Sequence, residues 1–399
     1  MKSMVEEARK LQDQLVTWRR HLHKNPELSM DLPETAAFVA ARLTEMGYAP
    51  EYVAGTGVTA LAGGKRPGKC FLIRADMDAL PIAEQTDLEF KSENGAMHAC
   101  GHDFHTAMLL GAARLLKNHE DEIEGSVKLM FQPAEETLLG ARAMVEAGIL
   151  KNPKVDAAAM FHVGAGIPKL PAGLIIVPGG GAFTAASDWF DIKIKGKGGH
   201  GAMPEATVDP LNVAAHMHIA LQEILSREIS ASDSAVVTVG TMGGGTTSNV
   251  IPDEAVLKGT IRTFDEGVRQ FVLKRVKEIA EGTAAVFRAS ADADIIQGCP
   301  SVSCDAAVSK DVRDSLAAVF GPAVPDPSVL GSARMNGSED FSFVTQSVPS
   351  VMMMLTAGSP EEGYCYPMHH PRAIFNEAVL SQGAAAYAVA ATGWLSKNK

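Results

Sequence analysis

CFLIRA, residues Cys70–Ala75, is a short apolar run of the length of a buried strand. Thr106–Leu116 follows with helical spacing, then the strand-like VKLMF (Val127–Phe131), a short helix at Ala141–Ala147 and the strand-like AAAMF (Ala157–Phe161). This alternation of strand and helix predicts an α/β layer with a mainly parallel sheet. Upstream, Val5, Ala8, Leu11, Leu15, Trp18 and Leu22 recur at helical spacing until Asn25-Pro26, and a second helix follows Pro33 and stops at Gly47.

The middle of the chain has another rhythm. WFDIKI (Trp189–Ile194) alternates apolar and polar residues as a half-exposed strand does. Pro210–Leu225 reads as a helix, Val236–Val239 and Ala255–Ile261 as strands, and Val268–Ala285 as a helix. That order predicts a small α+β domain with one antiparallel, ferredoxin-like sheet. PGGG (Pro178–Gly181) marks its start and Cys299-Pro300 its end. The first rhythm then resumes with a helix at Ala306–Phe320, a strand at Val351–Leu355 and a closing helix at Glu377–Trp394. The expected organisation is a large α/β domain (1–185 and 298–399) interrupted by a smaller inserted one (186–297).

Composition narrows the function. The chain of 399 residues is 46% hydrophobic and 21% charged, as in ordinary globular proteins. A net charge of -11 argues against a nucleic-acid partner, which needs a basic face. No apolar stretch reaches the ~18 residues of a membrane span, and the N-terminal residues do not read as a signal peptide, so no membrane partner is expected. Five cysteines, at 70, 100, 299, 304 and 365, are too few for a disulfide framework, so the expected location is cytoplasmic.

Four clusters carry chemistry. HACGHDFH (His98–His105) packs a thiol, three imidazoles and a carboxylate just ahead of a helix, and Cys with His suits zinc, cobalt, nickel or manganese. QPAEE (Gln132–Glu136) places two carboxylates at a strand's carboxyl end, where open α/β sheets hold their sites. His162 ends the AAAMF strand, and MHHP (Met368–Pro371) lies far downstream. Alone, the glutamates read as a solvated helix start and His162 as a structural residue. Agreement of all four clusters is much less ordinary.

At these residues the chain resembles the metal-dependent aminoacylase and carboxypeptidase family, in the amidohydrolase branch that includes hippurate hydrolase and the indole-acetyl-amino-acid hydrolases. The resemblance runs in family order through RRHLHKNPELS (19–29), IRADMDALPI (73–82), GAMHACGHDFHTAMLLGAA (95–113), VKLMFQPAEE (127–136), FHV (161–163), KGKGGHGAMP (195–204), TSNVIPDEA (247–255), GTIRTFD (259–265), GSEDFS (337–342) and MHHP (368–371). MHACGHD is its most specific segment. Thr137, Glu205 and His370 depart from the branch's usual residues, and none is among the implied ligands.

The resemblance implies hydrolysis of the amide bond of N-acyl amino acids at a site with two divalent ions per subunit. Cys100, His102, Glu136, His162 and His369 would be the ligands, with Cys100 bridging as thiolate. Glu135 would be the general base and Asp78 a carboxylate that positions the site, with Asp103 and His105 as local supports. The inserted domain would be a lid and dimerisation surface. From it His200 would stabilise the oxyanion in the partner subunit of a homodimer (or higher oligomer), while Asn249 and Arg262 hold the substrate's carboxylate. The same site would serve an N-acetyl-diamino-acid deacetylase or a dipeptidase. A cysteine hydrolase built on Cys100 would survive chelation, and a binding protein on a degraded hydrolase scaffold would bind acyl amino acids without turnover.

Overall fold

The computed structural model describes residues 1–330 and 334–399, with side chains described outside 329–333. Its principal strands are β1 (Glu51–Val53), β2 (Gly57–Arg66), β3 (Cys70–Asp76), β4 (Gly125–Gln132), β5 (Ala157–Gly164), β6 (Ile175–Ile176), β7 (Ala186–Lys195), β8 (Ala235–Gly243), β9 (Glu254–Thr263), β10 (Ser290–Cys299) and β11 (Ser350–Thr356). Its principal helices are α1 (Lys2–Lys10), α2 (Gln12–Lys24), α3 (Pro33–Glu45), α4 (His102–Asn118), α5 (Gly140–Glu146), α6 (Pro210–Glu223), α7 (Glu266–Val286), α8 (Ala306–Phe320) and α9 (Leu380–Lys397).

The chain forms two compact units. The first comprises Met1–Gly181, the segment that begins at Ser303, and Asp340–Lys399. Its seven-stranded sheet is ordered β1-β2-β4-β3-β5-β11-β6. The central strands β4, β3, β5 and β11 pair in parallel, and the outer pairings are antiparallel. Every residue of those four central strands is buried, which is why they read as continuous apolar runs rather than alternating ones. Helices α4 and α9 pack on each other and against β3.

The order contains a reversal. From β3 the chain crosses through α4 to β4 on one side, and β5 then lies on the other side of β3. Such a switch opens a crevice at the carboxyl ends of the strands. The opening is visible in the register. Pairing of β3 with β5 stops at Arg74–Met160, while β3–β4 continues to Asp76–Gln132 and β5–β11 to Gly164–Thr356.

The second unit comprises Ala182–Val302 and Arg334–Glu339. Its antiparallel sheet is ordered β8-β9-β7-β10. With α6 and α7 this is a ferredoxin-like β-α-β-β-α-β arrangement. Alternate residues Phe190, Ile192 and Ile194 of β7 pack with Met217 and Leu221 of α6 and with Val272 and Val276 of α7. Arg334–Glu339 belongs here through backbone bonds from Ala185 N–H to the Met335 and Gly337 carbonyls.

Several sequence expectations need adjustment. The first helix is broken at Leu11, whose N–H bonds back to Ala8 and separates α1 from α2. Helix α4 begins at His102, not Thr106, because Gly101 starts it in a left-handed conformation (φ +87°). Strand β5 runs on to Gly164, so His162 lies within it. The expected helix Pro210–Leu225 ends at Glu223 in a wider turn over Ile224–Glu228, and the closing helix is a short tight turn (Glu377–Val379) followed by α9. The β1–β2 hairpin was not foreseen, since glycines interrupt its alternation. Among the described residues no helix is long and apolar enough to cross a membrane.

Candidate metal centre

The predicted ligands converge on the opened end of the first unit's sheet. Asp78 follows β3, Glu135 and Glu136 follow β4, His162 is on β5, and His369 lies in the loop after β11. Cys100 and His102 flank Gly101, where a Cβ would stand 2.4 Å from the Val163 side chain. Only glycine therefore fits the turn that faces both donors inward. His369 is itself in a left-handed conformation (φ +66°), held by its N–H to the Ala99 carbonyl at 3.0 Å.

Cys100 Sγ lies 3.5 Å from His162 Nε2 and 3.2 Å from His369 Nε2. Glu136 Oε1 lies 3.6 Å from His369 Nε2 and 3.8 Å from His102 Nε2. The donor atoms of Cys100, His102 and His162 fall within 4.8 Å of one another, as do those of Cys100, Glu136 and His369 and those of His102, Glu135 and Glu136.

Hydrogen bonds set which ring nitrogens face inward. His102 Nδ1 donates to the Asp78 carbonyl at 2.8 Å, and His162 Nδ1 to the Val163 carbonyl at 2.7 Å. A carbonyl can only accept, so both Nδ1 atoms carry a proton and both Nε2 atoms are the ones turned to the site, where His162 offers a lone pair and His102 does so once it gives up its second proton. His102 Nε2 and Glu136 Oε1 are buried without hydrogen-bond partners. Buried polar atoms without partners are rare, and here they face each other across a gap rimmed by a thiol and two more imidazoles. A divalent cation of the borderline class satisfies that donor set.

The electrostatics agree. Burial pushes His162 down to about 3, leaving its imidazole neutral. Burial pushes Glu136 up to about 7, and burial with the Glu136 carboxylate pushes the Cys100 thiol well above its ordinary value. Burial opposes charge on His102, but Asp76 and Asp78 hold its imidazole well above the usual histidine range. Without a cation the cluster therefore retains protons on acids that a bound cation would displace.

Asp78 ties the centre together. Its carboxylate accepts the backbone N–H groups of Glu135 (3.0 Å) and Glu136 (3.2 Å), while its carbonyl holds His102. Asp103 points the other way, to Arg19 (2.7 Å) and His23 (2.8 Å), and His23 continues to Glu84 (3.1 Å). Sequence reasoning missed a second buried network behind the predicted ligands. Arg74 bonds Asp76, Gln132 and Asp340, and Asp340 also accepts the Ala141 N–H. The signal was an arginine and an aspartate at the end of the otherwise apolar CFLIRAD strand.

The other predicted residues lie in the second unit. His200 and Asn249 are exposed, and the short ladder pairing His200 with Val250 brings them together. His200 Nδ1 accepts the Ala202 N–H at 3.1 Å, and Asn249 Oδ1 accepts from Thr247 at 3.1 Å. Arg262, half-buried on β9, lies over the Trp189 ring at 5.8 Å.

A donor cluster of this kind, set at the switch point of a parallel sheet, belongs to the hydrolases that work through metal ions. Within that class the chain is a member of peptidase family M20/M25/M40, whose sequence profile matches residues 72–392. It is 39% identical over 373 residues to the N-acetyl-L-cysteine deacetylase of Bacillus subtilis (strain 168), covering 93% of this chain and 85% of that one. It is 41% identical over 292 residues to the N-acyl-L-amino acid amidohydrolase of Geobacillus stearothermophilus, covering 71% and 77%. A Bacillus subtilis crystal structure described as a dinuclear metal binding peptidase from the M20 family superimposes with a TM-score of 0.82 at 35% identity, covering 97% of this chain and 99% of that one.

Proposed function

We propose that the chain hydrolyses the amide bond of N-acyl amino acids, releasing a carboxylic acid and a free amino acid. The observation that carries the reading is the pair of buried atoms without hydrogen-bond partners, His102 Nε2 and Glu136 Oε1, facing the Cys100, His162 and His369 donors. The names of the Bacillus and Geobacillus relatives support the substrate class.

Cys100, His102, Glu136, His162 and His369 would hold two divalent ions, drawn from zinc, manganese, cobalt or nickel. Bound there, the ions would polarise the amide carbonyl and acidify water. Glu135, its backbone fixed by Asp78, takes the proton of the attacking water and delivers it to the leaving nitrogen. His200 donates to the oxyanion of the tetrahedral intermediate. Arg262 and Asn249 hold the substrate's free carboxylate, for which the planar guanidinium is suited. In this reading residues 186–297 act as lid and dimerisation surface, a homodimer supplies His200 from the second subunit, and the enzyme works in the cytoplasm. An N-acetyl-diamino acid or a dipeptide would use the same groups.

The test is a panel of N-acyl amino acids, N-acetyl-diamino acids and dipeptides, offered after loading with each of the four metals and again after chelation. Metal-dependent release of free amino acid from the first group is expected. Full activity after chelation, or no hydrolysis of any substrate with any metal, would overturn the reading.

A further inference from the structure

Where β3 and β5 part, backbone groups of β5 lose their ladder partners, and side chains replace them. The Phe161 N–H donates to Tyr387 Oη at 3.1 Å, and that hydroxyl donates to the Arg74 carbonyl at 2.7 Å. Two residues on, the Val163 N–H donates to His105 Nε2 at 2.8 Å. A backbone N–H can only donate, so His105 Nε2 is an acceptor and its proton sits on Nδ1, which donates to Asp76 Oδ1. Both ring nitrogens of this fully buried imidazole are committed. It differs in this from His102, three residues earlier on the same helix, whose Nε2 is left open.

The ring also lies between two of the ligands of the proposed centre. It stacks on His102 (centroids 5.3 Å apart) and meets His162 edge-on (4.7 Å). Its partner Asp76 is anchored by Arg74 at 2.8 Å and stands 3.6 Å from His102 Nε2.

We infer that His105 is a positioning residue for the metal centre: it replaces the missing strand partner of Val163 and so fixes the end of β5 that presents His162 to Cys100. The inference rests on the proposed two-metal reading. Because the imidazole's acceptor towards Val163 is the working part, His105→Gln, which carries a carbonyl oxygen near the Nε2 position, keeps the function. His105→Asn keeps only a donor towards Asp76, and His105→Ala keeps neither.

The experiment is a titration of the metal-free full-length chain with cobalt(II), following the visible ligand-field and thiolate charge-transfer bands, alongside thermal unfolding of the metal-free form. Wild type is expected to bind two equivalents. His105→Ala and His105→Asn should bind about 10–100-fold more weakly with altered bands, and His105→Gln should stay within a few-fold of wild type with its bands restored. Wild type that binds no cobalt would overturn the proposed function and this inference together. Wild type that binds two equivalents while His105→Ala matches it in affinity and spectrum would overturn the inference alone. If His105→Ala does not fold, the Gln and Asn forms decide, and equal affinity and spectrum in those two would overturn it. A variant that loses only thermal stability, with affinity and bands unchanged, marks a merely structural histidine and also overturns it.

Discussion

The two groups of candidate residues differ in how firmly the fold holds them. In the first unit, Cys100, His102 and His162 are buried, and each imidazole is oriented by a backbone carbonyl. In the second unit, His200 and Asn249 are exposed and held by single bonds from their own loop neighbours. Ligands for an ion must meet it at fixed distances, and the firm placement of the first group suits the role proposed for it. Groups that meet a substrate only as it is bound and released can be held lightly. The contrast predicts that changes in the first group alter metal content, while changes in the second alter substrate binding or turnover and leave metal content unchanged.

Glu135 is the sharpest case, because it stands among the proposed ligands yet is assigned a proton-transfer role. Glu135→Gln should lower kcat by about 10²–10⁴-fold while elemental analysis finds the full metal complement. Near-normal turnover would remove it from the mechanism, and lost metal would move it into the ligand set. His200→Ala should cost about 10²–10³-fold in kcat, again with metal unchanged. A drop in bound metal in that variant would break the distinction between the two regions.

Asp78→Ala should act in the opposite sense. With the N–H groups of Glu135 and Glu136 released, metal affinity should fall about 10–100-fold, read by competition with a chromogenic chelator. Unchanged affinity would mean that the carboxylate only fills space.

The smallest expected effect on activity belongs to the network beneath the site. Burial and Arg19 oppose charge on His23, but Asp103 and Glu84 hold its imidazole above its usual 6.5. Its stabilisation is therefore complete below pH 6.5 and is lost as pH rises through the folded-state value. His23→Gln should destabilise the chain by about 3 kcal/mol near pH 6, with a flatter fall in stability towards about pH 9. Urea unfolding at both pH values checks this, and an undiminished pH slope would show that another group titrates.

Much of this was legible in the sequence because the same physics wrote both. The central strands are buried on two faces, so CFLIRA, VKLMF and AAAMF stand out as runs, and the insertion's β7 is buried on one face, so WFDIKI alternates. Glu135, Glu136 and His162 were visible because they follow those runs, and Cys100 and His102 because they crowd one segment just ahead of a helix. What was hidden depends on partners far away in the chain. Nothing near Arg74 announces Asp340, and nothing near Val163 announces His105. The β1–β2 hairpin was hidden because its glycines carry no pattern.

One feature of the sheet bears on biosynthesis. Strand β11 forms its parallel ladder with β5, pairing Ser350 with Ala158, and the Tyr387 hydroxyl of α9 bridges β3 to β5. Residues through Tyr387 must therefore leave the ribosome before the central layer can close, and such distant pairings form slowly. Arrested nascent chains ending before residue 350 should be digested readily by added protease through β3–β5, whereas released chains resist.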